Sequence, residues 1–277
     1  MKAFVTGHNG FVGKNLVKRL EAEGIEVKII SDVFGFKFIK ATNFDYIFHC
    51  AAELYNEFEM IESNINLTKN MLDISKCNDY KAFIHIGSSS EFGKVNHYIH
   101  EDMPLRPTNM YEVTKAAASQ LCGIYAKKYN KPIVVVRPFS LYGPHERERR
   151  LVPTIYNKIK ANEPAEIYDG FHDWVYIDDF IDALMIIAES GPDEISGDAV
   201  NIGTGIQSTN EDVFNAFKSI EGLEDAKMIK RKGFLSQYDH TAWVCNPDYA
   251  RRKYGIQCNT SLKDGIRKYV EWRQSIG

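Results

Sequence analysis

Short apolar runs alternate with helical patterns through the first half of the chain. The runs predict strands over Lys2–Thr6, Glu26–Ile30, Tyr46–Cys50, Ala82–Gly87 and Ile133–Arg137. Between them, apolar residues recur at helical spacing and predict helices over Lys14–Glu23, about Ser63–Lys76 and over Tyr111–Tyr129. Strands that alternate with helices are typical of a parallel sheet covered on both faces, so we expect a doubly wound α/β fold.

The pattern changes near Leu151, where prolines interrupt shorter segments. Strand and helix patterns at Val200–Ile202 and Asn210–Ile220 predict a small mixed α/β C-terminal lobe. We expect a nucleotide-binding core at residues 1–150 and a substrate-binding lobe at residues 151–277. The lobe is expected to be interleaved with the core and not cleanly separable from it.

Composition narrows the class of protein. The 277 residues are 44% hydrophobic, and the formal charge of −3 gives no reason to expect nucleic acid or an anionic membrane as a partner. The apolar stretch from Ala183 to Ala188 is too short to span a bilayer. The N-terminus passes directly into a predicted strand, which leaves no room for a signal peptide. The five cysteines are scattered and odd in number, so we expect free thiols, no metal site and a cytoplasmic protein.

A glycine-rich turn follows the first predicted strand and opens the first predicted helix. Gly7, Gly10 and Gly13 have the G-x-x-G-x-x-G spacing that allows a tight turn and a close approach to a dinucleotide pyrophosphate. The positive end of the helix dipole favours the same anion. A Gly-rich turn alone is also compatible with an ordinary strand-to-helix loop, but its position favours a Rossmann-type cofactor site.

Tyr111 and Lys115 lie four residues apart and therefore share one face of a helix. An ammonium group there is expected to lower the phenol pKa from its free value of about 10, which would make the tyrosine a useful proton donor and acceptor. Three serines, Ser88, Ser89 and Ser90, follow an apolar run upstream. A chance Y-x-x-x-K is frequent on surface helices, and adjacent serines are common in turns.

Taken in this order, the glycine turn, the serines and the Tyr/Lys pair resemble the extended short-chain dehydrogenase/reductases, the NAD-dependent epimerase/dehydratase family of nucleotide-sugar enzymes. The resemblance covers essentially the whole chain. Members have a catalytic hydroxyl five residues before a loop glycine, and counting back from Gly93 gives Ser88. The resemblance therefore implies the catalytic set Ser88, Tyr111 and Lys115.

The resemblance also implies the residues that hold the cofactor. They are Gly7, Asn9, Gly10, Phe11, Val12, Gly13, Ser31, Asp32, Ala51 and Ala52, together with Tyr111 and Lys115. Ser31 stands where members often have an acid for the adenosine ribose, and Asp32 follows it. A serine tolerates a 2′-phosphate, but no arginine follows and Asp32 would repel that phosphate, so the sequence favours NAD and leaves NADP open.

Contacts to a nucleotide-diphosphate sugar are implied at a further set of positions: Ser89, Ser90, Ser140, Val152, His172 and Arg231. Two of them depart from the family pattern, because Ser140 replaces a frequent asparagine and His172 a common arginine. The charged segment from His145 to Arg150 either supplies the missing positive charge or is a solvated loop. Asn64 resembles the family's structural asparagine, and a helix cap is the alternative.

The resemblance suggests oxidoreduction at C4 of the sugar, and the leading hypothesis is a nucleotide-sugar 4-epimerase. A 4-keto-6-deoxysugar 4-reductase is the alternative. A 4,6-dehydratase is disfavoured because Ser89-Ser90 stand where dehydratases have Asp-Glu, and Glu91 supplies one carboxylate, one place late. A non-catalytic dinucleotide sensor is disfavoured because both Tyr111 and Lys115 are present. Members often pair the Tyr-bearing helix with its neighbour, so we expect a homodimer.

Overall fold

A six-stranded parallel sheet forms the centre of the molecule. The computed structural model describes residues 1–29, 43–234 and 242–276. The strands are β1 (Lys2–Thr6), β2 (Glu26–Ile29), β3 (Tyr46–His49), β4 (Ala82–Ile86), β5 (Ile133–Pro138) and β10 (Ala199–Ile202). Their order is β10-β5-β4-β3-β1-β2, and every neighbouring pair is parallel. The predicted α/β, doubly wound fold is confirmed.

Helices cover both faces of this sheet because successive side chains of each strand point to opposite sides. Ala3 and Val5 of β1 pack in one core cluster, which includes helix α1 (Phe11–Ala22). Phe4, between them, packs in a second cluster. Helices α3 (Leu67–Ser75) and α4 (Met110–Tyr129) contribute to that second cluster.

Two helices differ most from their predicted limits. Helix α1 begins at Phe11, three residues before the predicted start, because the turn glycines lead directly into it. The predicted helix around Ser63–Lys76 is composite: α2 (Glu57–Met60), a π-helix (Ile61–Asn66) and then α3. The π-helix changes the side-chain register just before α3, and such bulges are frequent at functional sites.

The C-terminal part combines small sheets with elements that return to the core. There are three two-stranded sheets within the described residues. They pair β6 (Ser140–Tyr142) with β9 (Trp174–Tyr176), β7 (Ala165–Tyr168) with β12 (Met228–Arg231), and β8 (Phe171–His172) with β11 (Ser208–Thr209). The remaining helices are α5 (Leu151–Lys160), α6 (Ile177–Glu189), α7 (Pro192–Ile195), α8 (Asn210–Lys218), α9 (Asp248–Tyr254) and α10 (Leu262–Ser275). Because β10 belongs to the main sheet and α6 packs on α1 and β4, residues after 150 serve both regions. The boundary at 150 stays a prediction.

Two further sequence expectations concern thiols and membrane spans. The sequence predicts buried free thiols: all five cysteines are free thiols, but only Cys122 and Cys245 are buried, and Cys77 is exposed. Within residues 1–29, 43–234 and 242–276, no helix is both long enough and apolar enough to pass through a membrane.

Candidate active site

The chain order reverses at β1, which lies between β2 and β3 in the sheet. In open α/β sheets, ligands bind outside the carboxyl ends of the strands at such a reversal. Gly7 follows β1 there with φ +67°, and a Cβ on it would lie 2.6 Å from the Ala51 nitrogen. A Cβ on Gly13 would lie 2.2 Å from the Gly7 oxygen. Glycine is therefore required at both positions, which confirms the predicted tight turn.

The residues at this turn fit a dinucleotide. Gly10 donates a backbone hydrogen bond to the Gly7 oxygen at 2.9 Å and caps α1 without a side chain. No acidic residue stands in the first turn of α1, so its amides and dipole favour an anion such as a pyrophosphate. Ala51 and Ala52 follow β3 at the same edge. Ser31 and Asp32 lie outside the described residues, so that part of the prediction is not tested.

A buried histidine, which the sequence analysis missed, links the two strands at the reversal. The Thr6 hydroxyl and His49 Nδ1 lie 2.7 Å apart, and His49 Nε2 lies 2.9 Å from the Thr68 hydroxyl. Thr68 donates to the Asn64 carbonyl, so His49 Nε2 is the donor and Nδ1 the acceptor. Burial, followed by the nearby Lys115 charge, lowers the His49 pKa to about 3. The imidazole is therefore a neutral link between β1, β3 and α3.

The three predicted catalytic residues lie together at the carboxyl edge of the sheet. Ser88 follows β4 and caps a short 3-10 helix, Ser89–Phe92. Its hydroxyl lies 2.7 Å from the Ser90 hydroxyl. The Ser88 side chain also lowers the pKa of the Tyr111 phenol, which places the phenol in its neighbourhood. One turn further along α4, the buried Lys115 donates to the Ile86 carbonyl at 2.5 Å.

The start of α4 sets the direction of Tyr111. The Asn109 side chain accepts from the Glu112 nitrogen at 3.0 Å and donates to Glu112 Oε1 at 2.8 Å. This reciprocal cap satisfies amide groups that the helix itself leaves without partners. It fixes Tyr111 in the first turn, where the phenol reaches Ser88.

The expected lowering of the Tyr111 pKa by Lys115 is wrong for this structure. Burial raises the pKa of Tyr111 to about 12, and the hydrogen bond from Ser88 is the largest effect that opposes it. The charge that lowers it further is the guanidinium of Arg150. Desolvation also lowers the pKa of Lys115 itself. Sequence spacing predicted the contact face correctly, but it contained no information about burial.

Asn64 fixes the loop after β3 to the catalytic helix. Its Oδ1 accepts from the Glu53 nitrogen at 2.7 Å, and its Nδ2 donates to the Glu53 carbonyl at 2.9 Å and the Thr114 hydroxyl at 3.0 Å. Thr114 in turn donates to the Tyr111 carbonyl at 3.0 Å. The side chain is buried within the π-helix. The helix-cap alternative is wrong, because Asn56 caps α2.

Ser89, Ser90 and Glu91 are all buried behind Ser88. The Ser89 hydroxyl accepts from the Trp243 indole at 3.3 Å. Glu91 accepts from Arg137 Nε at 2.8 Å and is turned into the protein interior. The single carboxylate near the dehydratase positions is thus already engaged in an ion pair.

The two positions that depart from the family pattern contact each other. The Ser140 hydroxyl lies 3.1 Å from Nδ1 of His172, whose ring packs beside Trp174 at 5.0 Å between centroids. Serine at position 140, in place of asparagine, therefore contacts an imidazole at position 172, in place of arginine.

Two other predicted substrate residues do not fit as expected. The side chain of Val152 is fully buried in the main core, because it lies on the apolar face of α5, so its prediction as a substrate contact is wrong. Arg231 is half-exposed on β12 and pairs with Glu166 at 2.5 Å. Its role in phosphate binding stays a prediction.

The charged segment after β6 faces the reaction centre, which favours the first of the two sequence interpretations for part of it. Arg150 Nε donates to Glu146 Oε1 at 2.7 Å, and its charge acts on Tyr111. The Cζ atoms of Arg147 and Arg149 lie 4.8 Å and 3.2 Å from the centroid of the Tyr55 ring. The sequence pattern assigns no partner to these arginines and does not indicate Tyr55, which is about 90 residues from Arg147 and Arg149 in the chain.

Proteins with this sheet, and with a serine, a tyrosine and a lysine held in this manner at its edge, are short-chain dehydrogenase/reductases. A model of the NAD dependent epimerase/dehydratase family matches residues 3–203. The chain belongs to that family, which confirms the resemblance found from the sequence.

The sequence identity between this chain and individual relatives is low. The chain is 26% identical to the UDP-glucose 4-epimerase of Mycolicibacterium smegmatis, with 98% of each protein covered. It is also 26% identical to the trifunctional dehydratase, epimerase and reductase RHM2 of Arabidopsis thaliana, covering 97% of this chain but 46% of that one. The chain thus spans about half the length of RHM2.

Solved structures share the fold. The UDP-glucuronic acid 4-epimerase of Bacillus cereus, in complex with UDP-glucuronic acid and NAD, superposes with a TM-score of 0.85. The two chains are 23% identical and each is covered completely.

Proposed function

We propose that this protein is a nucleotide-sugar 4-epimerase that uses NAD. The observation that carries the proposal is that Ser88 follows β4 and the buried Lys115 donates to the last carbonyl of the same strand, beside a turn where Gly7 and Gly13 leave no room for a side chain. Relatives that are named epimerases and match over their full length support the same reaction. The family is described as NAD dependent, and solved relatives contain NAD, which supports that cofactor.

The turn at Gly7–Gly13 and the first amides of α1 would hold the pyrophosphate, and Lys115 the nicotinamide ribose. When bound, NAD supplies the acceptor and later the donor of a hydride at C4. Ser88 orients the sugar oxygen toward Tyr111. Tyr111 takes the hydroxyl proton during oxidation and returns a proton during reduction, which is general base and then general acid catalysis.

The buried ion pair of Glu91 argues against elimination of water from the sugar. A dehydratase needs a carboxyl group that reaches the substrate, whereas the Glu91 carboxylate accepts bonds from Arg137 and two other groups in the interior. We therefore keep the 4-epimerase as the first proposal and the 4-reductase as its alternative.

The deciding experiment is to denature the purified protein and identify the dinucleotide that it releases. Near-stoichiometric NAD, together with conversion of UDP-glucose or UDP-glucuronic acid to its C4 epimer, is the expected result. A protein that releases no dinucleotide but oxidises NADPH or NADH with a 4-keto-6-deoxysugar nucleotide would establish the reductase instead. The Tyr111→Phe variant is the control, because it should release the same dinucleotide without turnover.

The proposal includes a homodimer formed by α4 and the neighbouring helix segment. Phe58 is 99% exposed and Ile61 50% exposed on that segment, and Val113 and Ile124 are 46% and 57% exposed on α4. Helices α2 and α4 pack together, so these side chains belong to adjacent helices. Light scattering should give twice the chain mass for the wild type and a monomer for Val113→Asp. Ile206→Asp, at an exposed position elsewhere, should remain dimeric.

A further inference from the structure

The carboxylate of Glu91 joins three elements beneath the reaction centre. One oxygen accepts from the Ser88 nitrogen and from the Ser119 hydroxyl, each at 2.8 Å. The other oxygen accepts from Arg137 Nε at 2.8 Å. Ser119 lies one turn beyond Lys115 on α4, and Arg137 lies on β5. The side chain of Glu91 is completely buried, and these three groups are its hydrogen-bond donors. Its charge also raises the pKa of Lys115 and of Tyr111.

We propose that Glu91 is a positioning residue, which holds the Ser88 backbone so that the Ser88 hydroxyl meets Tyr111. The inference rests on the proposed function for the reaction that it serves. Ser88 caps the 3-10 helix in extended conformation, with φ −156° and ψ 139°. Its N–H precedes the helix and has its acceptor in Glu91, so the carboxylate fixes the direction of the residue that carries the hydroxyl.

Neighbouring residues are shaped around this carboxylate. A Cβ at Gly87 would lie 2.7 Å from Glu91 Oε1, so glycine leaves the space that the carboxylate occupies. The guanidinium of Arg137 lies over the Phe92 ring at 5.2 Å while it donates to Glu91. A buried ion pair of this kind contributes little net stability compared with apolar residues of similar volume. The test therefore addresses how Glu91 affects the geometry of Ser88, and not how much it stabilises the fold.

Removing Glu91 alone would leave the Arg137 charge buried without its partner, so the test uses two double variants. Glu91→Gln with Arg137→Leu keeps an oxygen that can accept from Ser88, and Glu91→Leu with Arg137→Leu does not. Both variants lack the ion pair and have the same net charge and similar volume. They therefore differ in the polar amide of residue 91, whose oxygen can accept from Ser88 and from Ser119. Denaturant unfolding should show that both are folded.

We expect kcat for a nucleotide sugar to be at least about tenfold lower in the Leu variant than in the Gln variant, because small displacements of a catalytic group are costly. KM should agree within about twofold, since the ground-state contacts of the substrate are unchanged. Hydrogen exchange of the Ser88 amide, followed by NMR, should be faster in the Leu variant. Equal kcat in the two variants would overturn the proposal.

Two controls separate the possible causes. Ser119→Ala removes the contact with α4 alone, and a loss of kcat as large as that of the Leu variant would show that α4, not Ser88, is what Glu91 holds. The exchange measurement needs no substrate. If the wild type converts no nucleotide sugar, the proposed function fails, whereas equal Ser88 exchange in the two double variants rejects the role of Glu91 itself.

Discussion

Two groups of predicted site residues are held in different ways. The reaction group, Ser88, Tyr111 and Lys115 with Asn64 and Glu91 behind them, is supported by buried side chains bonded to backbone atoms. The recognition group, Ser140, His172, Arg150 and Arg231, is held by contacts between side chains. Arg150 and Arg231 are 40% and 47% exposed, whereas Lys115 is 2% exposed.

This difference has a physical consequence for how each group tolerates change. A substitution at Lys115, Asn64 or Glu91 leaves a buried backbone group without its partner. A substitution in the recognition group exchanges one side-chain pair for another at small cost. Under the proposed function, the first group would fix the chemistry, while the second would be free to determine which sugar is accepted.

The largest effect is expected from Tyr111→Phe, which removes the proton donor and leaves the ring. We expect kcat for the nucleotide sugar to fall by about 10²–10⁴-fold, the range for a positioned acid or base. The midpoint of denaturant unfolding should change little, because Phe has nearly the same shape. Full turnover in this variant would remove the reaction group from the mechanism.

Asn64→Ala should cost stability as well as activity. The side chain is 1% exposed and is bonded to both backbone groups of Glu53 and to Thr114. Its loss leaves buried partners unsatisfied, for which we expect about 3 kcal/mol less free energy of unfolding in urea. Asn66→Ala is the matched control in the same π-helix, since Asn66 bonds to the exposed side chain of Glu62. Equal losses in the two variants would contradict the role assigned to Asn64.

The reaction group was predictable to the extent that its contacts follow from local spacing and from strand ends. The glycine turn and the Tyr111/Lys115 face are short-range patterns, and parallel strands bring their carboxyl ends to one edge. Glu91 with Arg137, and Arg150 with Tyr111, are separated by about 40 residues, and no pattern in the sequence pairs them. Val152 and the pKa of Tyr111 were predicted wrongly for one reason: burial depends on packing that spacing does not contain.

Arg150 of the recognition group pairs with a buried acid, Glu146, whose titration should be visible in stability. Burial raises the Glu146 pKa to about 7 from its ordinary 4.5, against the opposing charge of Arg150. Between these values Glu146 is neutral when folded and ionised when unfolded, so unfolding releases a proton. Stability from this group is therefore complete below pH 4.5 and is lost as the pH rises to 7, a decrease of about 3 kcal/mol.

Urea unfolding at pH 5, 6, 7 and 8 would measure this slope. In the Glu146→Gln variant, the free energy of unfolding should not show this decrease with rising pH, because glutamine does not titrate. Glu148→Gln should keep it, since Glu148 lies two residues away with a side chain that is 63% exposed. Parallel pH profiles for the wild type and Glu146→Gln would show that Glu146 is ionised in the folded protein at pH 5.

The smallest effect is expected at the Ser140–His172 contact. It tests whether residues of the recognition group affect substrate binding as coupled pairs. Ser140→Ala and His172→Phe each remove the 3.1 Å contact, and phenylalanine keeps a ring beside Trp174. If the two residues act together, the double variant should raise KM no more than either single variant. The coupling would then be about 1 kcal/mol, close to the value of one hydrogen bond.

Ser140→Ala combined with His97→Phe, at an exposed site whose bond is to Asn96, should instead give additive changes. Additivity at Ser140 and His172 as well would mean that the two departures from the family pattern are independent, and the contrast between the two groups would then rest on Arg150 and Glu146.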